Sequence, residues 1–190
     1  MSELRGFVAV PLPSEMQSRI FAAAQELAPG LPGIKWSRKV ENLHVTIKFL
    51  GQVAEERLDA LGAALAASLG AVRPFRVELR RMGAFPSTRH AKVVWAWVDD
   101  GDGGRKLRAV VEGVEETAAR LGFAREQRLF SAHVTVGRAK HGGVDARAAL
   151  ETFADREFGD MTVGEVHLYE SRLGGEGSTY VLRARATLGN

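Results

Sequence analysis

One local pattern occurs twice in the chain, and this repeat limits the possible folds more than any other feature. In each half, a helical pattern is followed by a loop and then by a strand carrying the motif His-x-Thr-x: His44-Val45-Thr46-Ile47 and His133-Val134-Thr135-Val136. The two motifs lie 89 positions apart (133 − 44). Two similar halves related by a pseudo-two-fold axis would bring the motifs face to face across a central cleft.

The spacing of apolar residues predicts alternating strands and helices along the whole chain. Strands are predicted at 5–13, 43–50, 75–82, 92–98, 130–136, 161–170 and 179–187, and helices at 14–28, 54–69, 105–121 and 144–153. Trp36 falls in a predicted loop. This order is consistent with an α+β fold in which two antiparallel sheets are flanked by helices. The sequence contains no linker long enough to separate independent domains, so we expect residues 1–190 to form one domain.

Composition excludes several kinds of site and suggests a location. Hydrophobic residues make up 45% of the 190 residues, enough for a core without structural metal. The absence of Cys excludes disulfides, thiolate nucleophiles and iron–sulfur clusters, and is consistent with a reducing cytoplasm. The first five residues lack the plan of a signal peptide, and no apolar run approaches the ~18 residues of a membrane span. We therefore expect a cytoplasmic protein with no membrane association. The sequence says nothing about oligomeric state, and a monomer is taken as the default. The net charge of +3 permits an RNA partner without arguing for one.

The two motifs have the residues needed for phosphate ester chemistry. Side chains alternate along a strand, so His44 shares a face with Thr46, and His133 shares a face with Thr135. Two imidazoles with pKa values near ~6.5 can act as one acid and one base at neutral pH. The two hydroxyls can donate hydrogen bonds to phosphate oxygens. The pattern predicts a catalytic site for phosphate ester chemistry without metal.

Further residues near the motifs are candidates for substrate binding. Lys48 is four positions after His44 and would lie on the same face, looking into the cleft; the alternative is a solvated surface charge. Arg138 would lie on the opposite face from His133, but Gly137 permits a bulge that could turn it into a bidentate phosphate clamp. The remaining candidates, for stacking on a base, are aromatic residues whose alternative is a core or rim position: Trp36, Phe85 and Phe130.

Other enzyme classes lack their signatures in this chain. There is no Gly-x-Ser-x-Gly of an acyl hydrolase, no His-Glu-x-x-His of a zinc protease and no Walker-type phosphate loop. The glycine-rich segments 101–104 and 174–178 are interpreted as turns.

Nearly the whole chain resembles the two-histidine (2H) phosphoesterases, and within them the bacterial and archaeal RNA 2',3'-cyclic phosphodiesterases, also called 2'-5' RNA ligases. The most specific match is the segment Glu41-Asn42-Leu43-His44-Val45-Thr46-Ile47-Lys48-Phe49-Leu50-Gly51. The second signature is matched by His133-Val134-Thr135-Val136-Gly137-Arg138, and Phe85-Pro86 resembles a central family block. One departure is Ala132, where the family commonly has Pro before the second His.

The resemblance implies a bilobal fold with one motif per lobe, and hydrolysis of RNA 2',3'-cyclic phosphate ends, such as those of tRNA fragments, or of cyclic nucleotides. The implied product is a 2'-phosphomonoester, with a weak reversible 2'-5' RNA ligation. His44 and His133 would be catalytic, and Thr46, Thr135 and Arg138 would hold the phosphate. The implied activity needs no metal and no nucleotide cofactor.

Three hypotheses follow from the sequence. In the first, His44 protonates the leaving 3' oxygen while His133 activates the attacking water, although the likeness of the two halves does not decide these roles. In the second, the chain is a non-catalytic module that binds a nucleotide or an RNA end. In the third, RNA ligation is the physiological direction.

Overall fold

The computed structural model describes residues 3–99, 101–175 and 177–189. Met1 and Ser2, used in the targeting prediction, and Glu176 of a predicted turn lie outside the described residues. The strands are β1 (Glu3–Pro11), β2 (Ile34–Trp36), β3 (His44–Ala54), β4 (Phe75–Ser87), β5 (His90–Val98), β6 (His133–Ala139), β7 (Glu157–Val163), β8 (Glu165–Gly174) and β9 (Gly177–Thr187). The α-helices are α1 (Ser14–Leu27), α2 (Glu55–Leu69), α3 (Asp102–Arg120) and α4 (Arg147–Glu151).

The strands form one curled antiparallel sheet whose two halves meet at the motif strands. Its order is β7-β4-β5-β6-β3-β1-β8-β9, and β2 also pairs with β6. The two motif strands meet at the centre, where β3 and β6 are joined by the single residue pair Val45–Val134. With the motif strands included, the half that contains β3 has four strands, and the half that contains β6 has four strands and the added β2. The two predicted sheets are therefore the halves of a continuous sheet. The predicted α+β fold class is confirmed; the single domain and the monomeric state remain predictions.

Helices cover the face of the sheet toward which the apolar motif residues point. In α2 the buried residues follow helical spacing: Leu58, Leu61, Leu65 and Leu69. They belong to one apolar core with Val45 and Val134. Helix α2 packs on β1, β3 and β9, whereas α3 contacts both β3 and β4 and so bridges the two halves. Within the described part of the chain, no helix has the length and apolar character of a membrane span.

Several bounds differ from the sequence-based prediction; for example, the predicted helix 144–153 is the shorter α4 (Arg147–Glu151). Two differences concern which strands exist. The predicted strand 161–170 is two strands. The alternation of buried and exposed side chains shifts by one residue between Val163 and Val166, and at Gly164 the chain passes from one half of the sheet to the other. Strand β7 pairs with β4 in one half, and β8 pairs with β1 in the other. The loop predicted around Trp36 contains the short strand β2, which extends the sheet beside the second motif.

Candidate active site

The two motifs lie side by side at the centre of the sheet. Val45 and Val134 face each other and are 1% and 0% exposed, so they point into the core. Because neighbouring residues of a strand alternate between faces, the other motif side chains point to the opposite face. These are His44, Thr46, His133 and Thr135. In this antiparallel register, Thr46 lies next to His133 and Thr135 lies next to His44.

Both imidazoles are held by the same kind of backbone contact. Nδ1 of His44 lies 2.7 Å from the carbonyl oxygen of Asn42, and Nδ1 of His133 lies 2.7 Å from that of Ser131. A carbonyl oxygen only accepts, so each Nδ1 carries the hydrogen and each Nε2 has a free lone pair when the ring is neutral. Nε2 of His44 lies 3.0 Å from the hydroxyl oxygen of Thr46. Both rings are thus oriented as proton acceptors through Nε2.

The backbone before His44 is fixed by two other elements. The side-chain amide of Gln17 in α1 donates to the carbonyl oxygen of Leu43 at 3.0 Å. The amide of Asn42 donates to the carbonyl oxygen of Ser178, at the start of β9, at 2.8 Å. Residues far apart in sequence therefore hold the segment whose carbonyl orients His44.

Aromatic rings surround the two imidazoles unequally. The ring of His44 lies 4.9 Å from that of Phe7 and 5.4 Å from that of Tyr180, which meets it edge-on. His133 has Phe85 as an edge-on neighbour at 5.1 Å. The environment of His44 is therefore the more enclosed and the less polar of the two.

This burial lowers the pKa of both imidazoles. Desolvation is the main reason that the pKa of His44 falls to about 4; the bond to Asn42 opposes the shift, and the charges of His133 and Arg138 add to it. Desolvation also lowers the pKa of His133, with a further contribution from Arg138 and an opposing one from the bond to Ser131. At neutral pH the free protein therefore holds both rings mainly in the neutral form.

A cavity of about 780 Å³ opens over the first motif. Its wall includes His44, Thr46, Thr135 and Arg138. Four more basic side chains line it: Arg5, Lys35, Arg38 and Lys39. The described residues that line it include no Asp or Glu. The cavity is thus suited to an anionic ligand held against the first motif and Thr135; His133 is not among the residues that line it.

A β-bulge in β3 corrects the prediction for Lys48. The register of β3 against β1 passes from Thr46 to Lys48 and leaves Ile47 unpaired. This extra residue reverses the alternation of side chains, so Lys48 turns away from His44 and into the core. Phe49, which is 63% exposed, takes the place on the cavity wall. Lys48 is therefore not a cleft residue.

Lys48 instead forms a buried ion pair behind the site. Its Nζ lies 2.7 Å from a carboxylate oxygen of Glu115 in α3 and donates to the carbonyl oxygen of Ala124 at 2.7 Å. The same carboxylate accepts the backbone N–H of Glu126 at 3.3 Å. The pair connects β3 to the segment that leads toward the second motif.

A matching bulge in β6 brings Arg138 to the cavity. The register against β5 passes from Thr135 to Gly137 and leaves Val136 unpaired, one residue before the position at which a bulge was expected. A side chain at position 137 would come within 2.5 Å of Ile34, so glycine lets β2 approach this closely. The bulge reverses the alternation and places Arg138 on the wall with Thr135.

The predicted stacking residues have three different positions. Trp36 lines the cavity, next to Gly137. Phe85 packs against His133, outside that cavity. Phe130 is half-buried against the core and is not among the lining residues, so the structure does not bring it to the site. Sequence reasoning missed Phe49, because the strand alternation was taken as unbroken, and gave Tyr180 no role at the site.

Among residues 3–99, 101–175 and 177–189, no group of three or more His, Asp or Glu side chains is arranged to hold a metal ion.

Comparison with known proteins identifies the family. Residues 10–95 and 98–180 match the family described as LigT like Phosphoesterase. The chain belongs to the LigT-like phosphoesterases. This is a family of hydrolases, and the resemblance inferred from the two motifs is confirmed.

Relatives with curated names support this membership. An RNA 2',3'-cyclic phosphodiesterase of Archaeoglobus fulgidus is 33% identical over 178 residues, which cover 93% of this chain and 96% of the relative. A protein of the same name from Methanocaldococcus jannaschii is 31% identical over 181 residues and covers 93% and 96% of the two chains.

Solved structures of similar proteins share the fold. The structure of E. coli LigT complexed with 3'-AMP has a TM-score of 0.78 and 26% identity, and the match covers 99% of each chain. A Thermus thermophilus protein has a TM-score of 0.73 and 29% identity over 97% of each chain. These matches show that the LigT phosphoesterase fold covers nearly the whole of this chain.

Proposed function

We propose that this LigT-like phosphoesterase hydrolyses RNA 2',3'-cyclic phosphate ends to 2'-phosphomonoesters by two-histidine acid–base catalysis. One observation carries the proposal: His44 and His133 lie on one face of the sheet, each with Nδ1 bound to a carbonyl oxygen and Nε2 left for chemistry. Two hydroxyls and Arg138 stand beside them to hold a phosphate. The names of the archaeal relatives support the same reaction.

The charge around the cavity favours an RNA end over a single cyclic nucleotide. Most surface arginines elsewhere are paired with a carboxylate, as Arg80 is with Asp99 and Arg147 is with Asp145. The cavity cations form no salt bridge with any acidic residue in the described ranges: Arg5, Lys35, Arg38, Lys39 and Arg138. Unneutralised cations grouped on one rim attract a polyanion, so successive phosphates of an RNA strand fit this surface better than one phosphate.

The position of the basic rim also favours one assignment of the acid and the base. The five cavity cations form the basic rim, and they line the same cavity as His44. An RNA strand bound there therefore has its terminal ribose on the same side of the reacting phosphate as His44. In our mechanism, His133 takes a proton from water as its oxygen forms a bond to phosphorus. The bond from phosphorus to the 3' oxygen breaks, and Nε2 of His44 protonates that oxygen. Thr46, Thr135 and Arg138 hold the non-bridging oxygens, and the phosphate stays on the 2' oxygen.

The substrate itself supplies the charge that makes His44 an acid. In the free protein, burial and the nearby cations lower the pKa of His44 to about 4. A bound phosphate offsets the charge of Arg138 and favours the imidazolium, so its binding raises the pKa of both rings. A proton is therefore taken up when the substrate enters.

An assay in EDTA distinguishes this enzyme from a binding module of the same fold. The substrate is a short RNA ending in a 2',3'-cyclic phosphate, and loss of the cyclic end is followed by chromatography. We expect full turnover in EDTA and a loss of about 10²–10⁴-fold in His44→Ala and in His133→Ala. His141→Ala, which removes an exposed imidazole, is the matched control and should keep wild-type activity. Binding without turnover by the wild-type protein would establish the module instead.

A further inference from the structure

We propose that the open face of the first half of the sheet binds the RNA nucleotides that precede the cyclic phosphate. This half contains β3, β1, β8 and β9, and β9 is the last strand of the sheet. The binding surface consists of Tyr169, Leu182 and Arg185 and is called the RNA platform. The inference rests on the proposed function, because it takes an RNA end as the substrate, and it adds where the rest of the strand lies.

The RNA platform is on the same face of the sheet as the cavity wall. Phe7 of β1 lies directly opposite Phe49 of β3 on one side and Tyr169 of β8 on the other. Tyr169 is in turn opposite Leu182 of β9. Directly opposite residues of antiparallel strands project to the same face. Phe7 and Phe49 line the cavity, so the cavity wall continues across Tyr169 to Leu182 at the edge of the sheet.

Aromatic rings connect the imidazole of His44 to the RNA platform. The ring of Phe7 lies 4.9 Å from that of His44 and 5.3 Å from that of Tyr169, on which it is stacked with an angle of 24° between the planes. Tyr180 meets the Phe7 ring edge-on at 4.8 Å and lies 6.2 Å from the Tyr169 ring. Phe7 and Tyr180 both line the cavity. The platform therefore begins where the cavity ends.

The ring of Tyr169 is fixed from the side away from the cavity. Its hydroxyl oxygen lies 2.8 Å from Nδ1 of His167, which is buried. Nε2 of His167 lies 2.8 Å from a carboxylate oxygen of Glu165, an electrostatic contact without the alignment of a hydrogen bond. A ring held in one orientation loses little freedom when a base stacks on it, which favours binding.

Exposed apolar side chains are concentrated on this face. Five large hydrophobic residues are exposed among those that the structure describes, and three of them lie here: Phe49, Leu173 and Leu182. A group of exposed apolar residues beside a cavity is typical of a binding surface. A four-stranded antiparallel sheet with aromatic rings on its open face is one of the surfaces on which proteins stack single-stranded RNA.

Arg185 adds a cation to the RNA platform. It is exposed and lies opposite His167, so it projects to the same face as Tyr169 and Leu182. It forms no salt bridge with an acidic residue in the described ranges. In contrast, Arg183 on the same strand pairs with Glu55 of α2 at 2.5 Å. The register of β9 against β8 leaves Arg183 unpaired, so a bulge separates an arginine that faces the helices from one that faces the open side.

Position and charge together identify the occupant as the strand of the substrate itself. Tyr180 lines the cavity, and Arg185 is five positions further along β9, roughly 15 Å away in an extended strand. The surface between them is long enough for more than one nucleotide and begins at the cavity that takes the RNA end. Aromatic rings for bases, with arginines for phosphates, match a single strand of nucleic acid.

The test compares kcat/KM for a tetranucleotide ending in a 2',3'-cyclic phosphate with kcat/KM for a cyclic mononucleotide. Leu182→Asp places a negative charge on the RNA platform and should lower the tetranucleotide value by about tenfold, a typical effect of losing one stacking contact. Arg185→Gln should reduce the salt slope for the tetranucleotide by about 0.7, the effect of losing one phosphate contact. Neither residue lines the cavity, so both variants should hydrolyse the mononucleotide as the wild-type protein does.

Leu121→Asp is the matched control for the first variant. Leu121 is 36% exposed and Leu182 is 38% exposed, but Leu121 lies at the end of α3, on the helical side of the sheet. Arg19→Gln, which removes an arginine paired with Glu15, is the control for the second. Neither control should change the tetranucleotide value or its salt slope.

Three results would overturn the proposal: an unchanged tetranucleotide value in Leu182→Asp, an equal loss on both substrates, or an equal loss in Leu121→Asp. An unchanged salt slope in Arg185→Gln would also overturn it. Both platform residues are exposed, so their variants should fold. If the wild-type protein hydrolyses both substrates and the variants show none of these effects, the RNA platform alone is rejected. If it hydrolyses neither substrate, the proposed function is rejected as well.

Discussion

At the scale of residues, the two imidazoles are alike in their backbone contacts and unlike in their surroundings. Each donates from Nδ1 to a carbonyl oxygen at 2.7 Å, but only His44 is enclosed by two aromatic rings, those of Phe7 and Tyr180. This difference gives His44 the larger downward shift of pKa, to about 4. In the free protein this lower pKa makes His44 the ring less ready to carry a proton. Its role as the acid therefore depends on the bound phosphate, which raises its pKa.

The first prediction concerns pH. The profile of kcat/KM reports groups of the free enzyme, so both of its apparent pKa values should lie below the ordinary 6.5 of histidine. Activity rises with pH as the base loses its proton and falls as the acid loses its own. In kcat both limbs should move to higher pH, because bound phosphate raises both pKa values. Tyr180→Ala, which admits water to His44, should move the apparent pKa governed by His44 toward 6.5, whereas Tyr180→Phe should leave it in place. A kcat/KM that stays level to pH 8 would contradict the burial argument.

The second prediction concerns the leaving group. A substrate with sulfur in place of the bridging 3' oxygen leaves as a thiolate and needs no proton. We expect His44→Ala to lose less than about tenfold on this substrate, against about 10²–10⁴-fold on the oxygen substrate. His133→Ala should remain impaired on both. Rescue of His133→Ala instead would reverse the two roles.

The alternation rule predicted the faces of four site residues and failed for a fifth. His44, Thr46, His133 and Thr135 lie before the bulges, so counting by two places them on one face. Lys48 lies after the bulge, so its side chain points to the opposite face from the one that counting by two predicts. Nothing in Thr46-Ile47-Lys48 marks the extra residue, because both Ile47 and Lys48 are compatible with an uninterrupted strand. In the second motif, Gly137 indicated a possible bulge, so the sequence could predict that Arg138 turns toward the site.

At the scale of elements, the segment after α3 is tied to β3 by the buried pair of Lys48 and Glu115. Their side chains are 3% and 7% exposed, and Lys48 also holds the carbonyl oxygen of Ala124. An isolated charge in such a place is costly, so both partners are required together.

The third prediction follows from this pair. Lys48→Met leaves the carboxylate of Glu115 buried without its partner and should lower the free energy of unfolding by about 3–5 kcal/mol. Adding Glu115→Met should recover most of the loss. Lys35→Met, which removes an exposed lysine from the cavity rim, should change stability by less than about 0.5 kcal/mol. Urea denaturation measures all three. A stable Lys48→Met protein with impaired turnover would instead agree with a cleft lysine.

The elements that the sequence predicted best are those with long regular patterns. Helix α2 has regular helical spacing of its buried residues over its whole length, and its bounds were predicted within one residue. The motif strands alternate regularly only up to their bulges, and their bounds were predicted within four residues. The division between β7 and β8 was missed, although the change of phase between Val163 and Val166 is visible in the sequence. Strand β2 has three residues, too few for any periodicity, and it exists because β6 offers a free edge.

At the scale of the whole molecule, the positions of the charged residues say more about function than the net charge does. The net charge is only +3, yet five basic residues for which no salt bridge is found among the described residues line one cavity, whereas most arginines elsewhere pair with a carboxylate. Composition cannot reveal this, because pairing depends on which residues the fold brings together.

The fourth prediction concerns salt. For single strands the logarithm of affinity falls by about 0.7 per phosphate contact for each tenfold rise in salt. We expect kcat/KM to depend more steeply on salt for a tetranucleotide with a cyclic end than for a cyclic mononucleotide. Lys35→Gln should reduce the slope for the tetranucleotide by about 0.7. Arg19→Gln removes the same charge from an arginine paired with Glu15, away from the cavity, and should not change the slope. Equal slopes for the two substrates would argue against RNA tracking along the rim.

The identity of the phosphomonoester formed from a 2',3'-cyclic RNA end tests the account most directly. Hydrolysis with the 3' oxygen leaving beside His44 yields a 2'-phosphomonoester, and ³¹P NMR distinguishes it from the 3' isomer. We expect the 2' isomer alone from the wild-type protein in EDTA, and no product from His44→Ala or His133→Ala on the same timescale. Formation of the 3'-phosphomonoester, or turnover that survives the loss of either imidazole, would contradict it.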